Sequence, residues 1–574
     1  MNQLIARRSL LRSAALGAAG LGASRLFPAW AQSGTPGLLP ELPTLSGEKI
    51  ALRVGHTPFS VGGRTGHAIT LNGTLPGPLL RLREGQNFRL TVTNELDEDT
   101  SIHWHGLLLP FEMDGVPGVS FPGIPARGSF TYEFPIVQSG TYWYHSHSGL
   151  QEQMGHYGPI IIDPKGADPI GYDREHVIVL SDWSFLHPHR IISKLKQEGG
   201  FFNRQKETLL GRRTERLGGE DRRMFARMRM DPTDVADVTE AAYTFLVNGH
   251  GPAENWTGLF RPGERVRLRI INAAAQTIFN IRIPGLQMLV VASDGNPVRP
   301  VAVEEFQIGN AETYDVVVQP ADDRAFTFVA ETIDRSGMAR ATLAPRHGMS
   351  APVPPLRERP TLTMKDMGMG RMDHGTHGGH GAAPAMDHSK MDMRDKSKVS
   401  FPVGVGVDMI APNPVDRTGD PGVGLEDVGH KVLTYRDLVS LHPNPDQRPP
   451  TRAIEVHLTG NMERFMWSID GQKLSENPEP IRFELNERVR VTMVNDTMMT
   501  HPMHIHGHFF EVVNGHSGNH PLKHTVMVMP GGKVSFDMTA DAPGDWAFHC
   551  HMLYHMHAGM MRIVKVRPLK GEAA

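Results

Sequence analysis

Cysteine is almost absent from this chain. Cys550 is the only one in 574 residues, so no internal disulfide can staple the fold. Charge of one sign is not in excess either: the formal net charge is -3 and no basic block occurs, which removes the electrostatic ground for expecting a nucleic-acid partner. Long apolar runs are also missing. The stretch from Ala14 to Phe27 is too short to cross a bilayer and carries no stop-transfer pattern, so no stable membrane anchor is expected.

What is abundant points to an all-β protein. At 574 residues the chain exceeds a single core, and a prior of roughly 150 residues per domain suggests three or four domains. Sixty glycines and 44 prolines favour short strands joined by turns over long helices. At the start, Arg7-Arg8-Ser9-Leu10-Leu11-Arg12, the apolar stretch and Ala29-Trp30-Ala31 read as a twin-arginine signal peptide over residues 1–31, addressed to the twin-arginine export machinery and the periplasm. A lone thiol in that oxidising compartment is a liability unless it is buried or bound to a metal.

One pattern recurs three times. Asn87–Asn94, Arg265–Asn272 and Arg488–Asn495 each alternate apolar and polar residues as half-buried strands do, and each closes on asparagine. A turn pair, Asn72-Gly73, Asn248-Gly249 or Asp470-Gly471, lies about two dozen residues upstream of each closing residue, at the spacing of a sandwich. Three copies predict three related β-sandwiches. The first and third copies also share His103-Trp104-His105 and His504-Ile505-His506, nine positions after the closing asparagine, and end in His145-Ser146-His147 and His549-Cys550-His551. The middle copy has no such pairs and reads as a spacer.

Between the second and third copies the strand pattern lapses, and a tract rich in Met364, Met367, Met369, Met372, His374, His377, His380, Met386, His388, Met391 and Met393 intervenes. Its composition predicts a disordered linker, and its thioethers and imidazoles make it a candidate for Cu(I) capture.

Thirty histidines would give roughly one or two His-x-His pairs by chance, so position within the repeats must decide which pairs matter. His187-Pro188-His189 has no counterpart and reads as coincidence or a surface loop; His508 and His557 lie beside matched motifs without belonging to them. Residues i and i+2 of a strand share a face, so each of the four matched pairs aims two imidazoles into one cavity. Eight nitrogens suit three copper ions, one with two ligands and two with three. In His549-Cys550-His551 the thiol points to the opposite face, where His555 and Met560 complete a thiolate, imidazole and thioether set of the kind that selects copper.

His-Trp-His-Gly, Trp-Tyr-His-Ser-His, His-Pro-x-His-x-His and His-Cys-His-x3-His-x4-Met, in that order, resemble the four copper motifs of the multicopper oxidases. The twin-arginine signal, the Met/His tract, Met113-Asp114-Gly115-Val116-Pro117-Gly118 and Gly460-Asn461-Met462-Glu463-Arg464 resemble the periplasmic copper resistance protein A group. The resemblance implies three cupredoxin-like Greek-key β-sandwich domains, over residues 45–166, 172–348 and 401–570, with the disordered Met/His-rich insert at 349–400. It implies type 1 copper on His501, Cys550, His555 and axial Met560, and type 2 copper on His103 and His504. One type 3 copper would take His105, His145 and His551, the other His147, His506 and His549. Asp114 matches an acid that supplies protons near the cluster; Met556 and His557 stand where relatives carry acids.

The implied activity couples one-electron oxidation of a substrate, Cu(I) first and a phenol second, to reduction of dioxygen to water through four copper ions. A periplasmic copper-sequestering protein is the reading from another class. Because a weak axial ligand tunes the potential of such a site, Met560→Leu should raise the type 1 potential in a redox titration, and an unchanged value would remove Met560 from the ligand set.

Overall fold

The computed structural model describes residues 42–205, 219–228, 230–369 and 392–568. The predicted export signal and Met372, His374, His377, His380, Met386, His388 and Met391 of the Met/His tract lie outside the described residues. Among the described residues, short strands form six sheets, two in each of three successive segments. In the first segment, strands Lys49–Val61, Arg64–Leu71, Asn87–Asn94 and Ser129–Pro135 form one sheet. The facing five-stranded sheet ends in Tyr157–Asp163, Gly140–His145 and His103–His105. Leu52, Val54, Leu90 and Val92 from one sheet and Leu80, Leu82, Tyr142 and Tyr144 from the other close a common core. The second segment pairs a six-stranded with a five-stranded sheet between Arg174 and Ala344, and the third a seven-stranded with a five-stranded sheet between Val415 and Arg567. Neighbouring strands are mostly non-consecutive, because the chain passes from sheet to sheet.

The three recurring strands occupy equivalent central places, and their closing asparagines do the same job. Asn94, Asn272 and Asn495 each accept the N–H two residues on, from Leu96, Ala274 and Thr497 at 2.9, 3.1 and 2.9 Å. Each also donates its amide to at least two carbonyls, for example Asn272 to Thr277 and Ile308. Short polar side chains that bond their own backbone in this way fix the exit of a strand. The upstream turns match as well. Asn72-Gly73, Asn248-Gly249 and Asp470-Gly471 all have positive φ at both positions, as a tight hairpin turn of the primed type requires. Their side chains accept the N–H of Arg53, Val179 and His457 at 2.7 to 2.8 Å.

The middle sandwich is clamped on both sides. Strand Val266–Asn272 is buried on both faces. Arg267 and Arg269 on its polar face meet Asp315 and Glu175, and Arg269 also donates to Thr141 of the first sandwich at 3.0 Å. On the other side Lys523 of the third sandwich, fully buried, lies 3.0 Å from both Asp294 and Glu312. Removing one member of such a set would leave a buried charge unpaired, at a cost of about 3–5 kcal/mol.

The ends of the Met/His tract are packed. Residues 349–369 cross the second sandwich, where Arg357 bridges Glu305 and Glu331. Met364–Met367 forms a short helical turn, and Met367 and Met369 are enclosed in the main core. Met364 and Met393 are only partly buried.

Because Asn272 sits in the sandwich that carries none of the matched histidine pairs, Asn272→Ala should cost about 1–3 kcal/mol through unsatisfied buried carbonyls. The expected result is a lower melting temperature with metal content unchanged.

Candidate metal centre

Two histidine faces meet between the first and third sandwiches. Strand His103–His105 runs antiparallel to Gly140–His145 with His103 opposite His145, and His501–Ile505 runs antiparallel to Gly544–Cys550 with His504 opposite His549. Within each sandwich, therefore, the two pairs lie on adjacent strands. Across the boundary the imidazoles stack: His103 on His506 and His105 on His504, each with ring centroids 3.8 Å apart. All eight are buried except His147, which is partly exposed.

Hydrogen bonds at the outer nitrogens decide which nitrogen faces inward. The Nδ1–H groups of His103, His504 and His549 donate to the carbonyls of Asp114, His524 and Cys550 at 2.7 to 2.9 Å. His506 Nδ1–H donates to the Asp114 carboxylate at 2.8 Å, and His145 Nδ1–H to Glu152 at 2.7 Å. Each of these nitrogens faces an acceptor, for His145 the Ser146 carbonyl at 3.1 Å besides Glu152, so Nδ1 carries the proton and Nε2 is left as a lone pair. The inward nitrogens then converge: Nε2 of His506 and of His549, neither carrying a proton, lie 3.0 Å apart, while His147 lies 3.4 Å from His549 and His551 3.3 Å from His145. Nε2 of His103 and His504 and Nδ1 of His105 are buried with no hydrogen-bond partner. Opposed lone pairs and orphaned buried acceptors fit cations, and imidazole donors suit copper.

Cys550 alternates away from His549 and His551 to a second cluster. Its Sγ lies 3.5 Å from His501 Nδ1 and 3.7 Å from His555 Nδ1, which are themselves 3.2 Å apart. The outer nitrogens are held by Thr497 Oγ1 and Asp237 Oδ2, each at 2.7 Å. Met560 is fully buried beside the cluster, its carbonyl accepting the Cys550 N–H at 3.1 Å. Sulfur and two imidazoles, with a buried methionine bonded to the cysteine through its backbone, fit a single copper of the blue kind.

Several contributors were missed by sequence reasoning. Asp237 and Glu152 belong to no repeated motif. His524 is fully buried and sets its Nδ1 3.2 Å from His105 Nε2, yet it stands alone in the sequence without a His-x-His partner. Asp114, read from sequence as a proton source, lies at the outer nitrogens of His103 and His506, where it orients two rings at once. His187 caps helix Pro188–Gln197, its ring accepting the His189 N–H.

Two cavities approach the clusters. One of about 690 Å³ is lined by Met228, Met230, Met393, Met462 and Met498 together with Asp231, Asp234, Asp392 and Asp408. Asp234 precedes Asp237 by three residues, and Met498 follows Thr497, so its wall adjoins both residues that hold His501 and His555. The other, about 460 Å³, reaches His147 past Glu98, Asp99 and Gln151.

Burial holds the imidazoles neutral. It lowers His105, His145, His147, His501, His504, His506 and His551 well below the usual range, His549 to about 4 and His555 to about 3. It likewise pushes the Cys550 thiol up and the Asp237 carboxyl to about 7. In the unfolded chain these histidines titrate near 6.5, so below that pH the unfolded state binds more protons than the folded one. Metal-free protein should therefore be most stable above about pH 6.5 and lose stability steadily as pH falls toward about 3. Urea unfolding of chelator-treated protein across that window checks this; a flat profile would contradict burial of neutral rings.

The multicopper oxidase family models match residues 53–167, 174–347 and 447–570. The copper resistance protein A homolog of Pseudomonas syringae pv. tomato is 48% identical over 577 residues, covering 95% of this chain and 96% of that protein. Copper resistance protein A of Escherichia coli is 47% identical, covering 92% and 94%. Among solved structures, the laccase from Botrytis aclada is 21% identical with a TM-score of 0.61, covering 92% of this chain and 88% of that one, a likeness of cupredoxin-type fold. Three matched segments and near-half identity along almost the whole chain agree with the two metal clusters: the chain belongs to the multicopper oxidase family, whose members hold type 1, type 2 and type 3 copper.

Proposed function

We propose that this oxidase takes its electrons from Cu(I) and works in the periplasm, exported with its signal over residues 1–31. His501, Cys550, His555 and Met560 would hold type 1 copper, and His103 and His504 type 2. His105, His145 and His551 would hold one type 3 ion, and His147, His506 and His549 the other. Copper held there would supply one-electron redox chemistry, by which four electrons drawn singly from a reductant, with four protons from solvent, would convert dioxygen to two waters.

The residues divide the remaining work. Cys550 joins both clusters through the backbone of one strand, with His549 and His551 as its direct neighbours. Asp114 and Glu152 keep protons on the outer nitrogens of His506 and His145, so that the inner nitrogens stay available as ligands. Burial excludes water from both clusters, while the cavity at His147 gives a small molecule such as dioxygen a way in.

The observation that carries the Cu(I) reading is the cavity beside the cysteine cluster. Thioethers are soft ligands suited to Cu(I), and the carboxylates supply negative charge for a cation. Met393 ties this cavity to the Met/His tract, which would deliver the ion. Aromatic residues, which would stack on a phenol, are absent from its described lining.

Met462→Leu with Met498→Leu keeps the volume and removes two sulfurs. Oxygen uptake driven by Cu(I) should fall by about tenfold or more, the scale of one lost 1.4 kcal/mol of binding, while uptake driven by a phenol holds. Equal loss with both reductants would favour the laccase-like reading. If deletion of residues 370–391 abolished copper tolerance with oxidase activity intact, sequestration would be the better description.

A further inference from the structure

Trp467 lies on strand Met466–Ile469, directly opposite Gly460 of strand Arg452–Asn461. Opposite residues of an antiparallel pair share a face, so a side chain at 460 would stand where the indole lies. A Cβ built on Gly460 would come within 2.6 Å of the Trp467 ring. The missing side chain lets the indole fold across bare backbone. From there it stacks on His555, with ring centroids 3.9 Å apart and planes at 26°, and sets its edge against His501 at 5.3 Å and 72°.

The indole is retained at a cost. Trp467 is fully buried and its Nε1 has no hydrogen-bond partner. A phenyl ring would leave no such donor stranded, so what the indole adds is the wider face that covers His555. His555 is constrained twice. Its Nε2–H bond to Asp237 fixes rotation of the ring in its own plane, and a flat partner fixes the tilt of that plane. The direction in which Nδ1 meets Cys550 depends on both.

We propose that Trp467, seated by the absence of a side chain at Gly460, is a positioning residue that sets the plane of His555 and thereby the electronic character of the metal site at His501, Cys550 and His555. The proposal rests on the reading of that site as type 1 copper.

The test compares the copper-loaded full chain with Gly460→Ala, Trp467→Phe, the double variant and Trp467→Leu. The readouts are the thiolate-to-copper absorption band and the type 1 hyperfine splitting in spin resonance, with the type 2 signal as internal control. Gly460→Ala should shift both type 1 readouts, because the indole is pressed toward His555, and leave type 2 unchanged. Trp467→Phe should shift them too, and adding Gly460→Ala to it should produce no further shift, since a phenyl leaves room for the methyl. Wild-type spectra in every variant would overturn the proposal, as would a Gly460→Ala shift that persists undiminished with Phe at 467. Should Gly460→Ala fail to fold, Trp467→Leu must shift the readouts further than Trp467→Phe, and no shift in either is again fatal. A wild-type protein with no blue band would remove the type 1 reading itself and the proposal with it; a blue wild type with unmoved variants removes the proposal alone.

Discussion

Imidazole nitrogens that face one another without protons between them are the constraint around which this protein is organised. His506 and His549 approach to 3.0 Å as lone pair against lone pair, and their outer nitrogens are pinned by acceptors that fix the arrangement. Such a cavity is unfavourable by itself and becomes favourable with cations in it. The fold therefore has to hold it closed, and the elements outside the cavity are explained by that need. Carbonyls and carboxylates sit at the outer nitrogens of five of the eight rings. Burial keeps the rings neutral, and stacking across the sandwich boundary keeps them apart from water.

The two-residue period of a strand links that cavity to the second cluster. His549 and His551 face one way and Cys550 the other, so one strand serves two sites with a single backbone between them. A dry interior disfavours the thiolate, and burial pushes the ionisation of Cys550 up. A bound metal removes that penalty because a coordinating thiol is deprotonated outright.

The middle sandwich has none of the matched histidine pairs, yet it is more than a spacer. It supplies Asp237 to His555, and its Asp294 accepts the backbone N–H of His524, the residue behind His105. It also holds the buried charges that lock Lys523 in place. The position of the third sandwich relative to the first, on which the shared cavity depends, is braced through it.

The all-β character, the recurrence of three strands and the two histidine faces were legible in the chain because alternation and the closing asparagines are local properties. Asn94, Asn272 and Asn495 bond to residues a few positions away, and His-x-His is a face of one strand. Trp467, Asp237, Glu152 and His524 were not legible, because each meets its histidine only once the chain is folded and has no local pattern to mark it. That Met367 and Met369 pack in the core was not legible either, since burial is not written in composition. By itself, then, the sequence determined the strands, their repeated turns and the ligand types available. Only the tertiary structure decided which imidazoles oppose one another and which nitrogen of each points inward, because the opposing rings come from different sandwiches and many outer nitrogens are held by groups outside the motif they serve, such as Asp114, Glu152 and the His524 carbonyl.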